Sequence, residues 1–147
     1  MNTSQLENYM KSDPYISKLY GGVVAVDQLP LLPSKPSVYI VNCDPIALPG
    51  SHWVVVYIDN VCEHFDSAGI KPRPDFEQYL VLQGSPYMYN NQRVQDFTSD
   101  TCGLFCLFYC YFRCRGYSFA AIMNMFSDYL MLNEVVVKAF FVSTVNM

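Results

Sequence analysis

Cys102 stands where a polar, turn-like run ending in Ser99-Asp100-Thr101 meets an unbroken apolar run, Cys102 to Phe112. If that run is a buried helix, the thiol lies in its first turn. The unpaired N–H groups and the helix macrodipole favour negative charge there, and so favour a thiolate. A thiolate nucleophile needs a base within hydrogen-bond reach, and the base needs an orienting partner. Two distant stretches supply these types. Gly50-Ser51-His52-Trp53 puts a histidine at the start of a strongly apolar strand, and Glu63-His64-Phe65-Asp66-Ser67 puts a carboxylate at the end of a neighbouring one.

The pairing imposes a register. Side chains alternate along a strand, so His52, Val54 and Val56 share a face. Asp66 joins that face only if the hairpin loop is odd in length or carries a bulge. A loop of Asp59-Asn60-Val61 pairs Ile58 with Cys62 and Val54 with Asp66, and sets Asp66 diagonally beside His52. Taken singly, each residue has an ordinary structural role: a core cysteine, a hydrogen-bonded strand histidine, a turn-forming aspartate.

The surrounding elements follow from patterning. Thr3/Ser4 with Glu7 resembles a capping box and predicts a helix to about Met10, stopped at Asp13-Pro14. Gly21-Gly22 predicts a break, and Val23–Val26 an extended segment. Pro30, Pro33 and Pro36 mark a loop, Val38–Val41 a strand, and Pro45–Gly50 a second loop. His52–Asp59 is apolar on both faces, as for a central strand covered on both sides. Val61–Phe65 follows as its hairpin partner. Pro74–Leu82 fits a helix with Pro in its first turn. Either Tyr87-Met88-Tyr89 or Arg93-Val94 could add an edge strand. The central helix runs from Cys102 to about Cys114 and ends near Gly116. Ser118 is a cap for a helix to about Phe126, and Asn133 for one over Glu134–Phe141. This is an α+β layout in a single domain, residues 1–147.

Composition narrows the function classes. The chain is 52% hydrophobic with 12 Tyr and 10 Phe, and its formal charge is -4. The basic residues form no run, so tight nucleic-acid binding is not expected. The N-terminus lacks a basic and apolar leader, and no apolar stretch is long enough for a membrane span, so secretion and membrane insertion are not expected. Six cysteines without a leader suggest reduced thiols. Those at 102, 106, 110 and 114 line one helix face, which cannot surround a tetrahedral metal ion. Core packing is the expectation for Cys106, Cys110 and Cys114, and no metal or other cofactor is expected.

His52-Trp53 on an apolar strand, Phe65-Asp66 about a dozen residues on, and Gln95 ahead of Cys102-Gly103-Leu-Phe-Cys together resemble the adenovirus-type (adenain-like) cysteine proteases. More broadly they resemble the clan containing the SUMO and ubiquitin-like-protein proteases. The resemblance spans about Ser51 to Cys114. It implies a papain-like fold, with a central, mostly antiparallel sheet packed on the buried helix that carries the nucleophile. It also implies Cys102 as nucleophile, His52 as base, Asp66 as its orienting acid, and the Gln95 amide as oxyanion donor beside the Cys102 backbone N–H. Ser51, Trp53 and Gly103 flank these positions and are candidate substrate-binding residues. Gln92 stands too early to replace Gln95. His64 matches no catalytic position and reads as structural or surface; Glu63 reads as solvated or paired. The acid is Asp, as in the SUMO-protease branch, where the adenovirus enzymes have Glu. No cysteine lies between Cys62 and Cys102, where those enzymes tether an activating peptide.

The function so implied is a cysteine endopeptidase that cleaves viral, or virus-like transposon, capsid or core precursors near glycine during virion maturation. Its partners would be such polypeptides and, at most, a non-covalent activating peptide. Its setting would be the infected cell, including the nucleus, and the virion. Two alternatives are a deconjugase for a ubiquitin-like protein and a catalytically silent virion protein of the same fold.

Overall fold

The computed structural model describes residues 1–44 and 52–145. The expected loop Pro45–Gly50, and with it Ser51, lies outside the described residues. Helix α1 (Thr3–Ser12) precedes β1 (Tyr20–Ala25), a 3-10 turn (Val26–Gln28), β2 (Ser37–Asn42), β3 (Trp53–Ile58) and β4 (Glu63–Phe65). Then come α2 (Pro74–Gln83), β5 (Met88–Tyr89), α3 (Cys102–Arg113), α4 (Phe119–Met123) and α5 (Leu130–Val145).

The strands lie in sequence order, β1-β2-β3-β4-β5, in one sheet. The pairs β2/β3 and β3/β4 are antiparallel, and the outer pairs β1/β2 and β4/β5 are parallel. The sheet is therefore antiparallel at its centre and parallel at its edges. Its outer strands enter through long connections, which a parallel pairing requires.

The sheet is buried on both faces, which explains the unbroken apolar character of β3. On one face Val38, Ile40, Val55, Tyr57 and Phe65 pack with Phe105, Cys106 and Tyr109 of α3, backed by α1 and α5. On the other, Tyr39, Val41, Val54, Val56 and Ile58 pack with Phe76 and Leu80 of α2. Phe65 stacks on Tyr109 with ring centroids 4.6 Å apart, which joins the strand before Asp66 to the helix behind Cys102. Burial of side chains of this size contributes roughly 1.5–3 kcal/mol each.

Four local expectations change. The α1 capping box is present but is built one turn position earlier, from Asn2 and Gln5: the Gln5 N–H donates to Asn2 Oδ1 (2.9 Å) and the Asn2 N–H to Gln5 Oε1 (3.0 Å). Gly21-Gly22 does not break the chain but lies inside β1 at a bulge, where a Cβ on Gly21 would sit 2.2 Å from the Tyr39 ring. Glycine serves there for close approach, not for a turn. α4 stops at Met123, short of Phe126, although Ser118 does cap it, accepting from the Ala121 N–H at 3.1 Å. Asn133 is not the cap of the last helix. α5 starts at Leu130, and the Asn133 amide reaches from within it to the Ser127 and Val94 carbonyls, at 2.8 and 3.1 Å.

Candidate active site

The ladder of β3 and β4 pairs Val55 with Phe65, Val56 with His64 and Tyr57 with Glu63. Continued outward, it sets Ile58 opposite Cys62 and leaves Asp59-Asn60-Val61 as the loop, the odd length the hairpin needed. In the other direction it brings Asp66 beside His52. The His52 Nε2 lies 2.6 Å from Asp66 Oδ1. The same oxygen accepts the Ala68 N–H at 2.8 Å.

Asp66 is itself held by a residue that sequence reasoning passed over. The Asp66 N–H donates to Asn90 Oδ1 (2.9 Å), and Asn90 Nδ2 donates back to the Asp66 carbonyl (2.6 Å). Asn90 directly follows β5, whose parallel pairing with β4 brings it to this point. Within a turn-rich stretch, an asparagine that completes a strand pairing carries no distinguishing sequence signal.

Cys102 is the first residue of α3, as expected. The His52 ring and the backbone N–H groups of Trp53 and Gly103 act as donors toward its sulfur and favour the thiolate. Burial works against ionisation of this thiol, but those three donors outweigh it and hold its pKa below the ordinary thiol value. Burial likewise opposes charge on His52. Hydrogen bonds to Asp66 and Cys102, and the negative charge of both, raise its pKa to about 10. Both shifts favour an imidazolium–thiolate pair over a neutral imidazole and thiol. Trp53 thus meets the sulfur through its backbone. Gly103 does so too, while its Cα faces inward: a Cβ there would lie 3.4 Å from Met1 and 3.5 Å from Leu6.

The other thiols behave differently. Burial pushes Cys106 and Cys110 well above the ordinary value and Cys114 up to about 11. Cys43, near the site, is pushed up to about 12 by burial and then by the Asp66 charge. Cys102 alone among the thiols whose pKa is displaced is displaced downward. Among the described residues no group of His, Cys, Asp and Glu side chains is placed to hold a metal ion, and no helix is long and apolar enough to cross a membrane.

Gln95 is buried in the loop ahead of α3. Its Oε1 accepts the Ser67 hydroxyl at 2.6 Å, and its Nε2 donates to the Ser99 carbonyl at 2.9 Å. Gln92 enters the network through its carbonyl, which accepts from Asn90 Nδ2 at 3.1 Å. His64 is buried against Phe76, with ring centroids 5.1 Å apart, and burial lowers its pKa to about 4. Glu63 is buried and paired: Arg113 binds it through Nε (2.9 Å to Oε1) and Nη2 (2.9 Å to Oε2), and the Tyr109 hydroxyl donates to Oε1 at 2.5 Å.

The fold matches that of a papain-like cysteine protease. The crystal structure of the ASFV pS273R protease superposes on this chain with a TM-score of 0.54 at 15% sequence identity, covering 78% of this chain and 58% of that one. A crystal structure of the selenomethionine form of the same protease gives a TM-score of 0.46 at 22% identity, covering 69% and 44%. The chain thus matches less than two thirds of that protease's length. No protein-family model matches the sequence, and no curated protein matches it.

Proposed function

We propose that the protein is a cysteine endopeptidase in which Cys102 is the nucleophile, His52 the base, Asp66 the acid that orients it, and Gln95 an oxyanion donor. The observation that carries this reading is the juxtaposition of His52, Asp66 and Cys102 from three separate segments, with the thiol lowered and the imidazole raised. A structural cysteine has no need of such neighbours. In the reaction the thiolate adds to a peptide carbonyl carbon. The Gln95 N–H and the Cys102 backbone N–H receive the charge that develops on the carbonyl oxygen. A single donor of this kind contributes about 10²–10³ in rate in comparable sites. His52 then gives its proton to the leaving amine, and the thioester is hydrolysed by water that His52 deprotonates.

The fold shared with a viral protease supports a viral setting, with precursor polypeptides of the capsid or core as substrates, cleaved near glycine as virions mature. An adenain-type relationship rests on the Gln95-to-Cys106 motif. We take the chain as a single protease domain; with no cysteine between Cys62 and Cys102, an activating peptide would bind it non-covalently. Ser51, Trp53 and Gly103 are the residues we assign to substrate binding, on the resemblance alone. The test is incubation with candidate capsid or core precursors. Cleavage that disappears in Cys102→Ala supports the reading. Labelling of Cys102 by a ubiquitin-like propargylamide probe, with no precursor cleaved, replaces it with deconjugation.

A further inference from the structure

We infer that Ser67 and Glu134 are positioning residues that lock the Gln95 side-chain amide in one orientation, with its nitrogen as a donor. The catalytic consequence rests on the peptidase reading above; the lock itself rests on hydrogen-bond chemistry alone. The Ser99 carbonyl can only accept, so the Gln95 atom 2.9 Å from it must be Nε2. Oε1 then faces Ser67, whose hydroxyl must donate across the 2.6 Å contact. A flipped amide would set oxygen against oxygen at Ser99. Ser99 takes one Nε2 hydrogen, and the peptidase reading gives the second to the oxyanion.

Both partners are built in. Ser67 is 0% exposed, and its carbonyl also accepts the N–H groups of Val94 (2.9 Å) and Gln95 (3.0 Å). It therefore fixes Gln95 by backbone and side chain together, one residue after the acid that orients His52. Ser99 is held from the opposite side. The Glu134 carboxylate, on α5 and 4% exposed, takes the Asp96 N–H and the Ser99 hydroxyl on Oε2, both at 3.1 Å. Its Oε1 takes the Thr101 hydroxyl at 2.7 Å. One buried carboxylate thus spans the loop between Gln95 and Cys102. A buried carboxylate accepting several hydrogen bonds in this way is costly to leave unpaired, so the arrangement is rigid.

The test combines nitrogen-15 NMR of the Gln95 side-chain amide, assigned by its loss in Gln95→Ala, with peptide kinetics. In Ser67→Ala, and in the near-isosteric Glu134→Gln, exchange of the amide hydrogens with solvent should accelerate at least about 10-fold, because the first removes the donor to Gln95 Oε1 and the second weakens the hold on Ser99, whose carbonyl accepts from Nε2. On a glycine-containing peptide, kcat should fall about 10-fold with KM within about twofold, a part of the effect of losing an oxyanion donor. Ser67→Ala should add nothing in the Gln95→Ala background, since it acts only through that residue. The pH profile of Cys102 alkylation should not move. Unchanged amide exchange in both variants, or losses that multiply in the double variant, would overturn the inference. Wild-type protein that cleaves no peptide, while Gln95 exchange still responds to Ser67→Ala, would sink the peptidase reading and leave the lock standing.

Discussion

His52 and Asp66, fourteen positions apart in the chain, meet at 2.6 Å across the open end of the β3/β4 hairpin. The contact depends on a three-residue loop at the other end of the hairpin. With one residue fewer, Asp66 would face the opposite side of the sheet.

Asp66→Asn keeps the packing and removes the charge. Asp66 is among the causes that raise His52 to about 10, so its loss lowers the imidazole pKa. The proposed imidazolium–thiolate pair is lost as pH rises through the imidazole pKa, and the variant closes its window from the alkaline side. In the pH profile of kcat/KM the alkaline limb should shift to lower pH, with at least about a 10-fold loss of activity at pH 8. An alkaline limb that stays in place would separate Asp66 from His52.

Glu63 and Arg113 bear on stability rather than chemistry. Their two-point pairing is buried and shared with the Tyr109 hydroxyl, while the guanidinium lies 4.1 Å from the Tyr57 ring centroid. Glu63→Ala leaves a half-buried cation without its anionic partner and should cost about 3–5 kcal/mol, as read by urea unfolding. A change below about 1 kcal/mol, the worth of an exposed pair, would show that this pair is effectively solvated.

His64 should make the fold acid-sensitive. Its folded pKa of about 4 lies below the ordinary 6.5. Between those values the unfolded chain binds a proton that the folded chain refuses, so stability falls as pH drops from 6.5 to 4. The full effect approaches about 3 kcal/mol. His64→Leu should flatten that part of the stability–pH curve, and an unchanged slope would assign it to other groups.

Much of the site was legible in the sequence because its parts sit at junctions that patterning reveals. Cys102 falls where a polar loop becomes an apolar helix, and His52 where a loop becomes a strand buried on both faces. The alternation of side chains along a strand makes the hairpin register a condition on the site. The supporting residues were not legible. Asn90, Ser67 and Glu134 are polar residues in stretches that read as turns or helix, and only tertiary contacts distinguish them from solvated ones. Asn133 shows why: its type and position suit a helix cap, but the helix begins earlier and its amide is used across the loop. Gly21-Gly22 misleads in the same way, since the Tyr39 ring that needs the space lies on another strand. The parallel outer strands likewise escape local patterning, because strand direction is set by how long connections return to the sheet.

The central claim is that Cys102 rests as a thiolate beside a protonated His52. Iodoacetamide alkylation of the native protein across pH, with the labelled cysteine identified by peptide mapping, tests it most directly. Cys102 should be modified rapidly and selectively at pH 6, well below the ordinary thiol range, and the reaction should slow strongly in His52→Ala. Cys106 and Cys110 should stay unmodified until the protein unfolds. A Cys102 that reacts only as pH approaches 9, at the same rate with and without His52, would contradict it.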